Sequence, residues 1–486
     1  MNSSIVRLYV LVLVLFATVV GFTSYWAIFD ADELRGRGDN RRSLIEAQQI
    51  PRGTIKTVDG TEVAVSVPRG SGNQRIFARE YPQGELFGHP LGYSFVEFGQ
   101  TEIERSENDV LIGRDNEFVS ILEQLEGQVD EGSDLTVTLD SEAQQIAQDG
   151  LDSAISIPGT GGGLVAIEPD TGAVRAMVSE PGYDPNLVPD QFKQLNRKGG
   201  GEPLINRPTQ SVYPPGSTMK VVTATAALDS GDFDTSTTLN ADSGVEISGV
   251  PLANAGGEDF GTIDMTDALT NSVNTYWAQV GEEIGPDTLV TYMERFGFFR
   301  DPPLDFPSDE LAPSGVQNSD GDLVRDGFDV GRVAIGQGGE EGQLLATPLQ
   351  MAQVAAAVAN GGELMEPTFR QEVTDPDGRT TDELDPDVQS TVMSEETAAE
   401  VADMMTNVAE EGTASGLSVA GATLAGKTGT SEINQEGLNQ AWFIGFAPAD
   451  DPEIAVAATV ERCQGCFGGD TAGPIATDVM QSLLGE

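Results

Sequence analysis

Tyr213-Pro214-Pro215-Gly216-Ser217-Thr218-Met219-Lys220 passes through two prolines and a glycine into a helix that starts near Ser217. The helix continues from Val221 to Leu228 and stops at Gly231. Apart from Thr223 and Thr225 its side chains are apolar, which predicts a helix enclosed by protein on all sides. Ser217 and Lys220 stand three residues apart and share one helical face, so the amine can reach the hydroxyl of the preceding turn. A serine hydroxyl is a poor nucleophile until a base takes its proton. A lysine serves as that base only if desolvation or a neighbouring cation lowers its pKa. Burial in an apolar helix supplies the first condition. Taken alone, Ser-x-x-Lys is a weak motif, better explained by a capping serine followed by a lysine that lays its stem along the surface.

Two later elements change that balance. Ser272-Val273-Asn274 begins 52 residues after Lys220, and Lys427-Thr428-Gly429-Thr430 begins 153 residues after Asn274. Each is commonplace by itself, the first as a loop or cap and the second as a surface turn. Their order matters, and so does the pattern around them. Leu164 to Glu168 and Ala173 to Val178 are strand-like runs joined by the turn Pro169-Asp170-Thr171-Gly172. Trp442 to Ala447 and Ile454 to Val460 form a second hairpin around Pro448-Ala449-Asp450-Asp451-Pro452. Helical stretches such as Leu349 to Asn360 lie between, and Gly473-Pro474 reads as the start of a last helix. An α+β fold follows, with an antiparallel sheet flanked by helices.

Ser-x-x-Lys, Ser-x-Asn and Lys-Thr-Gly in this order are the signature of the penicillin-recognising serine enzymes. From about Gly162 to the C-terminus the chain resembles the class B penicillin-binding proteins. Ile167 to Gly172, Asn206-Arg207-Pro208, Ala334-Ile335-Gly336-Gln337-Gly338 and Ala346 to Ala352 look like further segments of that family. Upstream, Arg52-Gly53-Thr54-Ile55 and Tyr81 to Tyr93 resemble the short pedestal of the actinobacterial penicillin-binding protein A group.

The resemblance implies a transpeptidase domain of the serine β-lactamase-like fold with a helical subdomain. It implies a D,D-transpeptidase, inhibited covalently by β-lactams, that cross-links peptidoglycan stem peptides without metal or cofactor. Ser217 would attack the carbonyl between two terminal D-alanines, Lys220 would take its proton, and Ser272 would relay a proton to the departing amine. Asn274 would bind the peptide backbone and orient Lys220. Lys427 would supply positive potential, Thr428 and Thr430 would hold the terminal carboxylate, and Gly429 would let the substrate strand approach. The amides of Ser217 and Thr430 would hold the oxyanion. A multi-spanning glycosyltransferase is the implied partner, because residues 30–150 look too short to polymerise glycan.

The same motif residues would serve a D,D-carboxypeptidase. A β-lactamase would further need a water-activating group, and no glutamate has a context that assigns it that task. A β-lactam sensor would need a signalling domain inside the cell, for which the seven residues before the span leave no room. A Ser-His-Asp triad would have to recruit His89, the chain's one histidine, which reads as part of a Gly-His-Pro turn.

The remaining features set location and surroundings. Leu8 to Phe29 carries no charged side chain and is long enough to span a membrane. No small-residue cleavage pattern follows Tyr25-Trp26, so it reads as a signal anchor that places the bulk of the chain outside the cell. Arg35, Arg37, Arg41 and Arg42 beyond the span run against the positive-inside bias, although Asp30, Asp32 and Glu33 intervene. The expected units are residues 1–29 as cytoplasmic tail and anchor, 30–145 as a β-rich pedestal, and 146–486 as the transpeptidase domain. A net charge of -52 excludes nucleic acid as a partner and suits a salt-rich medium. Cys463 and Cys466 lack the further ligands of a zinc site, which leaves a local disulfide or two idle thiols.

Overall fold

The structure, a computed structural model, describes residues 2–28, 44–45, 47–71, 75–114, 131–199, 201–339, 342–432 and 437–485. The N-terminal helix Asn2–Ile28 contains a stretch of 22 residues, Ile5–Trp26, with mean hydropathy 2.5 and no residue buried. It is long and apolar enough to cross a membrane. Phe29 and the charges that bear on orientation, Asp30, Asp32, Glu33, Arg35, Arg37, Arg41 and Arg42, lie outside the described residues.

Both predicted hairpins form, and together with the Lys-Thr-Gly segment they build one five-stranded sheet. Its order is Ala425–Glu432, Leu438–Ala447, Ile454–Gln464, Gly162–Ile167 and Val174–Glu180, antiparallel throughout. Every residue of Gly162–Ile167 is buried, a continuous apolar run rather than an alternating one, because helices cover both faces. Neighbouring glycines show this directly. A Cβ at Gly162 would meet Leu151 of helix Ser141–Ala154, while one at Gly163 would meet Pro348 at the start of helix Pro348–Ala359. Asp140 caps the first of these helices through the amides of Glu142 and Ala143, and Thr347 caps the second through Gln350.

One local expectation is corrected and two are made more specific. The last helix spans Gly468–Leu483 rather than opening at Gly473-Pro474, and Pro474 sits inside it. The glycine at 468 permits the earlier start, since a Cβ there would lie 2.1 Å from the Trp442 carbonyl oxygen and 2.6 Å from that of Gly429. Ser217 lies in a 3₁₀ turn, Gly216–Met219, and the α-helix proper is Lys220–Asp229. Three residues per turn bring positions i and i+3 into direct register, so the tighter turn favours the Ser217–Lys220 contact. His89 belongs to a single helical turn, Gly88–Leu91, where its Nε2 lies 2.9 Å from the Pro203 carbonyl. Burial holds it down to about 3, so it is neutral at working pH.

The β-rich upstream region is a six-stranded sheet ordered 380–383, 370–374, 134–137, 55–57, 62–69 and 76–80. Two of its strands come from between the Ser-x-Asn and Lys-Thr-Gly motifs in sequence: Val373 pairs with Leu135, and Val373 also pairs with Asp382. Side chains add to this link. Arg370 donates to Glu107 at 2.7 Å, Arg105 to Asp309 at 2.8 Å, and the Glu102 amide to Glu310 at 2.6 Å. Cys463 and Cys466 form a disulfide beside the start of the last helix.

Candidate active site

The Ser217 turn is wedged between two backbones. Gly216 adopts φ +55, and its amide donates to the Gly336 carbonyl at 3.1 Å. On the other side the Pro214 carbonyl accepts from Trp442 Nε1 at 3.0 Å and from Ser431 Oγ at 3.2 Å. A Cβ on Gly336 would stand 1.8 Å from the Gly216 carbonyl oxygen, so only glycine fits there. Gly429 plays a similar part. The space its missing Cβ leaves is taken by the Pro215 carbonyl and the Thr218 methyl, at 2.8 and 2.9 Å.

Lys220 has no exposed surface, and its Nζ lies 3.0 Å from Ser217 Oγ. The same amine reaches the Ser272 carbonyl and Asn274 Oδ1, both at 2.7 Å, and Ser272 Oγ at 3.3 Å. Burial, and then the charge of Lys427, hold its pKa well below the usual lysine range. A neutral amine has two N–H groups and one lone pair. The Ser272 carbonyl and the Asn274 amide oxygen can only accept, so they take both N–H groups and leave the lone pair for the Ser217 hydroxyl. The geometry therefore selects the direction of proton transfer from serine to lysine.

Ser272 bridges the two lysines. It adopts φ +57, left-handed for a residue with a side chain, between helices Met265–Thr270 and Asn274–Arg295. Such a conformation costs about 1–3 kcal/mol and persists where surrounding contacts impose it. Here the amide of Ser272 is fixed on the Leu269 carbonyl at 3.1 Å, and that of Val273 on Ala268 at 2.9 Å. Both the carbonyl and the hydroxyl of Ser272 are thereby turned towards Lys220. Its hydroxyl also accepts from Lys427 Nζ at 2.9 Å.

Lys427 is fully buried, and burial lowers its pKa to about 7. It lies on Ala425–Glu432, an edge of the five-stranded sheet, rather than on a surface turn. Thr428 and Thr430 project from the same strand. The Thr428 hydroxyl lies 2.6 Å from that of Thr413, and Thr430 Oγ1 accepts from the Gly468 amide at 3.3 Å. All eight residues singled out in the sequence thus fall within one connected cluster. Thr413, Gly336 and Trp442 also belong to it. No motif marks Thr413 or Trp442, and Gly336 stood out only within a family-like segment.

Residues 162–481 match the family model for the penicillin binding protein transpeptidase domain, and residues 52–135 match that for the penicillin binding protein A dimerisation domain. The chain belongs to the penicillin-binding protein transpeptidase family. Peptidoglycan D,D-transpeptidase PbpA of Mycolicibacterium smegmatis is 33% identical over the whole of both chains. PbpA of Mycobacterium tuberculosis is 32% identical, covering 100% of this chain and 99% of its own. Among solved structures, penicillin-binding protein A of M. tuberculosis as an imipenem acyl-enzyme complex superposes with a TM-score of 0.79 at 30% identity, covering 90% of this chain and 99% of its own. The D,D-transpeptidase domain of a peptidoglycan glycosyltransferase from Eggerthella lenta gives 0.76 at 31% identity, covering 90% and 98%. The α+β penicillin-binding fold expected from the motifs is therefore the fold of this chain.

Proposed function

We propose that this chain is a serine D,D-transpeptidase that cross-links peptidoglycan and is acylated by β-lactams. The observation that carries the reading is the buried Lys220 amine, 3.0 Å from Ser217 Oγ with its other directions occupied by acceptors. Ser217 Oγ attacks the carbonyl between the terminal D-alanines of a stem peptide while Lys220 takes the hydroxyl proton. An Oγ–C bond forms, the amide C–N bond breaks, and the leaving D-alanine amine is protonated through Ser272 from the lysine pair. Asn274 holds Lys220 and the peptide backbone. Lys427⁺, Thr428 and Thr430 receive the terminal carboxylate, and the amides of Ser217 and Thr430 stabilise the oxyanion. The amine of a second stem peptide then attacks the ester, forms a new amide bond and returns the proton to Ser217.

The N-terminal helix anchors the chain with its short end in the cytoplasm and residues 146–486 outside, standing on a pedestal of residues 30–145 to which 370–383 contribute two strands. Glycan strands come from a separate membrane polymerase. Labelling with a fluorescent penicillin tests the nucleophile: the native chain takes up one covalent label and Ser217→Ala takes up none. Incubation with a stem peptide and an amine acceptor tests the outcome. Cross-linked product supports the transpeptidase, whereas free D-alanine and trimmed peptide alone would mark a carboxypeptidase.

A further inference from the structure

Thr428 and Thr430 lie on the same strand, Ala425–Glu432, and their hydroxyls have different neighbours. Thr430 Oγ1 accepts from the Gly468 amide at 3.3 Å. A backbone N–H can only donate, so the Thr430 hydroxyl keeps its own proton for a ligand. At Thr428 the corresponding place is taken by another hydroxyl, Thr413 Oγ1, at 2.6 Å. Either oxygen is able to donate in that contact, and the direction decides what Thr428 has left to offer. When Thr428 donates to Thr413, its one proton is spent. When Thr413 donates, the Thr428 proton is free to point at a ligand. A carboxylate can only accept, so its arrival selects the second arrangement.

Thr413 is exposed, in the loop between helix Glu395–Glu410 and the strand of Lys427, but its backbone is pinned from two sides. Its amide donates to the Thr270 carbonyl at 3.3 Å, and a Cβ at Gly412 would stand 2.3 Å from that same oxygen. Thr270 closes the helix Met265–Thr270 that leads into Ser272. On the other side, a Cβ at Gly469 of the last helix would meet the Thr413 carbonyl oxygen at 2.8 Å and the Thr428 methyl at 3.5 Å. Two glycines thus let the loop press between the helix before Ser272 and the helix that begins at Gly468, and the Thr413 hydroxyl is delivered to Thr428 from a fixed backbone.

We propose that Thr413 is a positioning residue for carboxylate recognition: its hydroxyl donates to Thr428 Oγ1 and so aims the Thr428 proton at the terminal carboxylate of a stem peptide or a β-lactam. The Lys427 ammonium is a compact charge that attracts a carboxylate without fixing its plane, whereas two oriented hydroxyls on one strand fix it. The inference rests on the proposed serine chemistry and adds to it a residue outside the three motifs.

The test is the second-order rate constant for acylation of the full-length protein, in detergent micelles, by a fluorescent penicillin. Thr413→Val keeps the size of the side chain and removes its hydroxyl, and the rate is expected to fall at least about fivefold, as for the loss of one hydrogen bond. Thr413→Ser keeps the hydroxyl and is expected to stay within about twofold of wild type. On a Thr428→Val background, adding Thr413→Val should change the rate by less than about twofold, because the hydroxyl through which Thr413 acts is already gone. A loosened loop would slow acylation on either background, so this cycle separates positioning from a structural role. Thr413→Val at the wild-type rate, a serine variant as slow as the valine one, or equal losses on both backgrounds overturns the proposal. A wild-type chain that takes up no label overturns the serine chemistry itself, and this inference with it, whereas the other outcomes are ratios to a wild type that does react.

Discussion

Replacing Lys427 by methionine tests whether the fold really holds an amine out of water in the Ser217 cluster. The folded pKa is about 7 against 10.5 in an open chain, for a side chain with no exposed surface. Because the folded pKa is depressed, the unfolded chain binds more protons wherever the pH lies between those two values. Stability therefore rises with pH across that window, by up to about 1.4 kcal/mol per pH unit. The penalty at pH 7 is about 4 kcal/mol, and about 3–4 kcal/mol of it disappears by pH 10. Lys427→Met removes this titration. The hydrogen bonds it forfeits, to Ser272 Oγ and the Thr428 carbonyl, are lost at both pH values and cancel in the comparison. Urea unfolding at fixed salt, followed through the buried Trp277 and Trp442, should show the wild type gaining about 3–4 kcal/mol more than the variant between pH 7 and 10. Equal pH slopes in the two proteins would mean that Lys427 is charged and hydrated in the fold, and the electrostatic account of the serine site would fail with it.

The rate constant for acylation by penicillin should fall above pH 7 as Lys427 loses the charge that attracts the carboxylate. Lys427→Arg, which keeps its charge, should move that alkaline limb upward by more than about two pH units whatever it does to the maximal rate; an unmoved limb assigns the titration to another group. Gly336→Ala would place a Cβ 1.8 Å from the Gly216 carbonyl oxygen, so penicillin labelling should drop by at least about a hundredfold. Labelling within threefold of wild type would show that the turn can shift freely, at odds with its wedging between two backbones. Net charge of -52 predicts that the unfolding midpoint climbs from low to molar sodium chloride, and a flat response would remove the salt-adapted reading of the surface.

How legible each part was depended on how local its cause is. The two hairpins could be read because their turns and apolar runs are contiguous. Ser217 and Lys220 were legible for the same reason. Ser272 and Lys427 could be joined to them only by motif order, since nothing in a stretch of 153 residues says that its ends meet. The left-handed φ of Ser272 was hidden, because the residue is an ordinary serine held by contacts from Leu269 and Ala268. Thr413 was hidden too: it is a threonine in a polar loop until the strand carrying Thr428 is folded against it at 2.6 Å. The misplaced start of the last helix has the opposite cause. A strong local signal, Gly473-Pro474, was overridden by the close packing of Gly468 on Gly429 and Trp442.

The strands 370–374 and 380–383 show why the pedestal cannot be treated as a tether. A β-pair such as Val373 with Leu135 commits both segments to one register, and slipping it by one residue would turn Val373, buried at 2% exposure, to the opposite face. Arg370 reinforces the same strand with donors to Glu107 at 2.7 Å and to Asp382 at 2.7 Å. Glu310 and Asp309, from the helical region, grip the pedestal turn at Glu102 and Arg105. These links are separated in sequence by more than two hundred residues and act on one short stretch, residues 102–107. A swing of the pedestal would have to break sheet pairing and buried charged contacts together, at several kcal/mol. The pedestal and the serine domain therefore move as one body.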